Sequence, residues 1–262
     1  MNEQDEQRFQ TWFDSFCGAF RTANQDDQRN FDLKQEHTRR VLVNANEIAE
    51  GLELGENDIL ISGAVALFHD VGRFPQYRQH KTFRDSISVN HAALSARVLI
   101  ENNVLADLPE QEQETVVRAV TLHNVFSVPA GVHDPALLHL RIIRDADKLD
   151  IWRVFKESFD LPAPERPSAA GLGLPETANY SPGVLTELRE RRMVKLDQLR
   201  SLNDFKLLQL AWIYDLNFIP SLRLVLDRDI INGLGRTLPQ TGEIRDVLAG
   251  LRKYVQDKIT CS

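Results

Sequence analysis

The stretch from Asn57 to Asp70 constrains this fold more than any other. Asn57 stands where a helix N-cap belongs, and Ile59, Ile61, Val65, Leu67 and Phe68 make the following helix apolar on nearly every side. Such a helix has to be covered all round, which puts it at the centre of a helical assembly. The rest of the chain supplies the cover, because apolar residues recur at helical intervals along most of it and alternating, strand-like runs are nearly absent. Periodicity predicts helices over residues 3–23, 28–52, 57–70, 89–101, 109–123 and 134–159, then over 182–201, 204–216, 220–231 and 242–259. Residues 71–88, rich in charge and aromatics, read as a loop, and the Pro- and Gly-rich residues 161–182 as a long irregular connection. The expected class is therefore all-α. Residues 1–160 read as the chemical core, and residues 161–262 as the irregular loop and a helical cap packed upon it.

Composition narrows the function. With 262 residues, 42% of them hydrophobic and 26% charged, the chain can bury a sizeable core without disulfides. Its two cysteines, Cys17 and Cys261, form no Cys-x-x-Cys pair, which removes a thiolate zinc site and suits a reducing cytoplasmic location. A net charge of −7 disfavours non-specific nucleic-acid binding, though not the capture of one phosphate by a local basic patch. Residues 1–10 are polar, so no secretory leader is expected. No segment approaches the ~18 apolar residues of a membrane-spanning helix.

Against this background the placement of histidines and aspartates is unusual. His69 and Asp70 end the most apolar helix, where each is costly to bury without a partner. His37 shares a helical face with Val41, Ala45, Ile48 and Leu52; His91 with Leu94, Ser95 and Val98; His123 with Val116, Ala119 and Val120. Asp147 lies on the face of Leu140 and Ile143. Any one of these is more often a satisfied core residue than a ligand. Together they set imidazoles and carboxylates on the inward faces of five helices, the donor set of a divalent cation.

The order His37, His69–Asp70, Asp147 resembles the H…HD…D signature of the HD-domain superfamily. The flanking text, Ala66-Leu67-Phe68-His69-Asp70-Val71-Gly72 and Arg144-Asp145-Ala146-Asp147-Lys148-Leu149-Asp150, is similar to that family as well. The resemblance covers roughly residues 30–155. It implies an HD-domain helical bundle, here with a C-terminal helical extension, in which His37, His69, Asp70 and Asp147 hold a divalent metal. Some branches of the family carry two more histidines between the HD pair and the last Asp and bind a second metal; His91 and His123 occupy that interval. The expected cofactor is thus a pair of divalent ions, from Mn, Fe, Ni, Co, Zn and Mg, bridged by Asp70, the alternative being a single ion with His91 and His123 bonding substrate directly. Asp145 and Asp150 are read as helix-end and surface charge.

Most members of the family hydrolyse phosphoesters, which implies metal-assisted hydrolysis of a nucleotide or other small phosphorylated metabolite. A bound metal lowers the pKa of its water from about 15.7 toward ~7, and the resulting hydroxide attacks phosphorus. Arg73, Arg78, His80, Lys81 and Arg84, interleaved with Phe74, Tyr77 and Phe83, directly follow the HD pair and are the candidate substrate-phosphate contacts. Lys148, beside Asp147, is a candidate for stabilising transition-state charge. Two rival readings remain open: a di-iron oxygenase of the same fold, and a non-catalytic metal-binding signalling module. His133 and His139 match no motif and read as surface or structural. The run Glu187–Arg192 reads as a solvated face, and Trp152, Trp212 and Tyr214 as core. The sequence leaves the oligomeric state open.

Overall fold

A computed structural model describes residues 1–160 and 174–261, the side chains of 158–160 excepted. These residues hold helices and no strand, in line with the all-α expectation. No helix among them is long and apolar enough to cross a membrane. They divide into two compact units, Met1–Asp147 and Lys148–Ser262, with the division inside helix α7 (Ala136–Asp160).

In the first unit, α3 (Glu56–Phe68) is the central helix, and all its residues from Ala64 to Phe68 are buried. Helices α1 (Glu3–Gly18), α2 (Gln25–Gly51) and α6 (Glu110–Leu122) pack on it. The α1 face is aromatic: Phe9 and Trp12 meet the Phe68 ring edge-on at 5.1 and 5.7 Å between centroids. Phe68 is fully buried, so truncating it to Ala should cost about 3–5 kcal/mol. Helix α5 (His91–Glu101) lies against α6.

The segment 71–88 corrects the sequence expectation of a loop. It contains a helix, α4 (Arg73–His80), and a 3₁₀ turn at Asp85–Ile87. Gly72 and Pro75 argue for a break only if Pro75 needs a backbone donor, and in the first turn of a helix it does not. Phe74 and Tyr77, three residues apart, supply the buried face. Phe74 stacks on Phe31 of α2 at 5.9 Å, and Tyr77 meets the same ring edge-on at 5.4 Å. Tertiary burial therefore makes a helix of a segment whose local text reads as a loop. Lys81, at φ 53°, ends it in the left-handed region.

In the second unit, α9 (Leu202–Ala211) is buried on every side and starts from a Ser201/Asp204 capping box. Helix α12 (Gly242–Thr260) packs on α8 (Pro182–Arg189), α10 (Ile219–Asp227) and α11 (Ile230–Arg236). Two expected helices are interrupted. The one read over 182–201 stops at Arg189 and turns at Arg191, φ 57°; the one read over 220–231 divides at Asp229, φ 49°. Of the irregular connection expected over 161–182, residues 161–173 lie outside the described residues, and 174–181 carry no regular structure. Trp152 is core as expected, its indole donating to Gln209 O at 3.0 Å.

Candidate metal centre

Five helices bring the histidines and aspartates to one place. α2 presents His37 on the face of Val41, Ala45 and Ile48. His69 caps the C-terminus of α3 and Asp70 follows it. His91 opens α5 behind the Asn90 cap, which accepts from Ala93 N, and His123 caps α6. Asp147 comes from α7. His37, His69, Asp70, His91 and His123 are buried, while the Asp147 side chain is 22% exposed. Gly72 makes this closeness possible. A Cβ there would stand 2.5 Å from both His91 O and Ser95 N, so only glycine lets the chain after Asp70 lie against α5. Its amide donates to Ser95 Oγ at 2.8 Å.

The two oxygens of Asp70 face two different groups. Oδ2 lies 3.8 Å from both His37 Nε2 and His69 Nε2. Asp147 Oδ1 joins that side, 3.1 Å from His37 Nε2 and 4.0 Å from His69 Nε2. Oδ1 lies 3.3 Å from His91 Nε2 and 4.0 Å from His123 Nε2, and those two nitrogens are 3.0 Å apart. A cation holding ligands at ~2.0–2.2 Å separates neighbouring donor atoms by about 2.8–3.6 Å, so the cluster matches that spacing to within a few tenths of an ångström.

Hydrogen bonding supplies a stronger test of fit. His69 Nδ1 faces Ala66 O at 2.7 Å and His123 Nδ1 faces Val120 O at 2.8 Å. His91 Nδ1 faces Asp85 Oδ2 at 2.6 Å. Each of these partners can only accept, so each Nδ1 carries the proton and each Nε2 presents a lone pair. His69 Nε2 is buried without a hydrogen-bond partner. The His91 and His123 lone pairs face each other and Asp70 Oδ1, an arrangement that needs a positive charge among them. The residues fit a cation.

Protonation is consistent with that fit. Burial pushes the His69, His91 and His123 imidazoles down, His123 to about 3, so they are neutral at pH 7. Burial acts to raise Asp70, but the Lys34 ammonium and the Arg73 guanidinium beside it hold it well below the usual carboxylate range. Asp147 is likewise held low, burial being outweighed by the hydrogen bond and charge of His37. The neutral His69, His91 and His123 rings and the ionised Asp70 and Asp147 are in the forms that bind metal.

Among the candidate phosphate contacts, Arg73 is the one brought beside Asp70. Its Nε, buried and without a hydrogen-bond acceptor, lies 3.4 Å from Asp70 Oδ1. Arg78 donates to Ala19 O and lies over the Phe20 ring; Lys81 pairs with Asp27 at 2.6 Å. Arg78 therefore contacts the α1–α2 connection, and Lys81 the first turn of α2. His80 is half-buried at the end of α4, and the Arg84 side chain is exposed. Lys148 pairs with Asp215 at 2.8 Å. Asp145 and Asp150 are buried, a correction to their reading as surface charge, and Asp150 accepts from Arg153 Nε at 2.8 Å. His139 is structural as expected, its Nδ1 2.9 Å from Ser62 Oγ.

Sequence reasoning missed Lys34, whose Nζ lies 2.8 Å from Asp70 Oδ2. The signal was present: Lys34 precedes His37 by one helical turn and so shares its face. It also missed Asp85, which accepts from His91 and from Arg73, and which no pattern in the sequence connects to either.

Residues 35–152 match the family model described as HD domain. The matched stretch begins just before His37 and ends just after Asp147, so the part of the chain that holds these residues is similar to an HD domain. No curated protein and no solved structure matches the chain. The family is mostly one of metal-dependent hydrolases, and the buried groups His37, His69, Asp70 and Asp70, His91, His123 could each hold a metal ion.

Proposed function

We propose that this protein is a metal-dependent phosphohydrolase acting on a nucleotide or another small phosphorylated metabolite. The observation that carries the reading is the convergence of unprotonated Nε2 atoms on both oxygens of one carboxylate. His37, His69, Asp147 and Asp70 Oδ2 would hold one divalent cation, and His91, His123 and Asp70 Oδ1 a second. When bound, such ions supply a water acidified toward neutral pH and neutralise the oxygens of a phosphoryl group.

The chain's own residues do the rest. Arg73 offers an unused Nε donor beside Asp70, placed to meet a phosphate oxygen. Lys34 adds an ammonium on the other oxygen of the same carboxylate. Two cationic groups flanking the bridging position suit an anionic phosphoryl group better than an uncharged substrate, which favours hydrolysis over the di-iron oxygenase reading. Lys148, engaged with Asp215, carries no step in this reading. The net charge of −7 suits a small substrate rather than a nucleic-acid polymer.

The test is a screen of nucleotides and phosphorylated metabolites with chelated protein, reloaded singly with Mn, Fe, Ni, Co, Zn or Mg. Phosphate release that is abolished by chelation and restored by a metal supports the reading. Oxygen consumption by iron-loaded protein without phosphate release would replace it with the oxygenase.

A further inference from the structure

Asp85 sits in the 3₁₀ turn after α4, outside the metal-facing cluster, and only donors surround its carboxylate. Oδ2 accepts from His91 Nδ1 at 2.6 Å, from His91 N at 3.4 Å and from Asn124 Nδ2 at 3.2 Å. Oδ1 accepts from Arg73 Nη1 at 2.9 Å and from Gln76 Nε2 at 2.9 Å. One oxygen thus holds the imidazole that faces Asp70 Oδ1. The other holds the guanidinium whose Nε lies 3.4 Å from that same Asp70 atom.

We propose that Asp85 is a positioning residue for the centre, its two oxygens fixing together the His91 tautomer and the direction of Arg73. The proposal rests on the reading that His91 faces a cation and Arg73 a phosphate. It goes further by coupling the two functions through one carboxylate. The physical reason is the absence of any acceptor role for the groups around it. A carboxylate accepts on both oxygens. A carboxamide at the same place would turn an N–H toward donors in either orientation, losing His91 in one and Arg73 with Gln76 in the other.

The first measurement needs neither metal nor turnover. Ring ¹⁵N shifts of histidine-labelled, metal-free protein should show His91 as the Nδ1–H form in the wild type. In D85A that preference should be lost and in D85N reduced, since only one carboxamide orientation still accepts from His91, while His69 and His123, held by backbone carbonyls, keep theirs. S88A is the control for a loosened turn, since the Ser88 hydroxyl bonds Gln76 Nε2 and Arg84 O but not the Asp85 carboxylate. It should leave the His91 tautomer unchanged. Calorimetric titration with Mn²⁺ should then show one equivalent unaffected in D85N and one weakened roughly 10- to 100-fold, with partial recovery in D85E. For the Arg73 arm, with Mn²⁺ held at saturation for each variant, D85N and R73A should each weaken inorganic phosphate binding, and the double variant should be no worse than R73A alone.

His91 remaining Nδ1–H in both D85N and D85A would overturn the proposal, as would additive phosphate losses in the double variant. A wild type that takes up one Mn²⁺ with the His91 tautomer still dependent on Asp85 would instead revise the two-cation reading and leave the positioning role standing.

Discussion

Gly72→Ala tests how the centre is built without touching a ligand. A Cβ at position 72 would lie 2.5 Å from His91 O and Ser95 N and 2.9 Å from Ser95 Oγ, where ordinary contact begins at 3.4 Å. Two of the three atoms are backbone, so no side-chain rotation relieves the overlap. The first turn of α5 must retreat by about 0.9 Å, a displacement of the kind that costs about 1–3 kcal/mol in a packed interior. For a unit of this size that corresponds to a fall of roughly 3–12 °C in Tm. Metal–ligand distances tolerate only ~0.2 Å, so His91 should leave the reach of a cation held by Asp70 Oδ1. His37 and His69, on α2 and α3, stay in place. Metal-free G72A, titrated calorimetrically with Mn²⁺ alongside a thermal melt, should keep one equivalent of wild-type affinity and lose the other. Replacing Ser95 as well removes only the hydroxyl contact and should not restore it. A G72A protein with both equivalents at wild-type affinity and an unchanged Tm would refute the reasoning.

Arg73→Ala should lower kcat/KM on a verified substrate by roughly 10- to 150-fold, the value of a charge-assisted hydrogen bond of about 1.5–3 kcal/mol. Metal content should persist, and a change under twofold would remove Arg73 from the phosphate site. In metal-free protein, His123 has a folded pKa lowered to about 3 against 6.5 when free, so its contribution to stability is full above about pH 6.5 and is lost as the pH falls toward 3. From about pH 7.5 to pH 5 this group alone should remove about 2 kcal/mol from urea-unfolding stability. The lowered His69 and His91 add in the same direction, and a flat profile would contradict their burial as neutral rings. Cys17 is buried, its thiol pushed up to about 12 chiefly by burial, whereas Cys261 is exposed. A thiol reagent at pH 8 should therefore label Cys261 quickly and Cys17 only on unfolding; two equally fast thiols would contradict the packing of α1.

What was legible in the sequence follows from where the information is local. Helical register alone puts His37 beside Val41 and Ala45, and the apolar run before His69 identifies α3 as central, because both patterns repeat within a single element. The family text around His69–Asp70 and Asp147 then supplies the donor set. Helix α4 was hidden because it is held by the tertiary stacking of Phe74 on Phe31 of α2, while Gly72 just before it and Pro75 in its first turn read locally as a break. The breaks at Arg191 and Asp229 were equally hidden, since left-handed backbone at Arg or Asp has no dependable sequence marker. Lys34 could have been found one turn before His37. Asp85 could not, because its meaning lies in bonds to His91 and Arg73 that only the folded chain creates.

The central claim is that Asp70 bridges two cations, and a crystal structure of Mn²⁺-loaded protein with anomalous scattering tests it most directly. Two anomalous peaks about 3.5–4 Å apart are expected. One should lie among His37, His69, Asp147 and Asp70 Oδ2, the other among His91, His123 and Asp70 Oδ1. A single fully occupied peak, with His91 and His123 turned away from any metal, would contradict it.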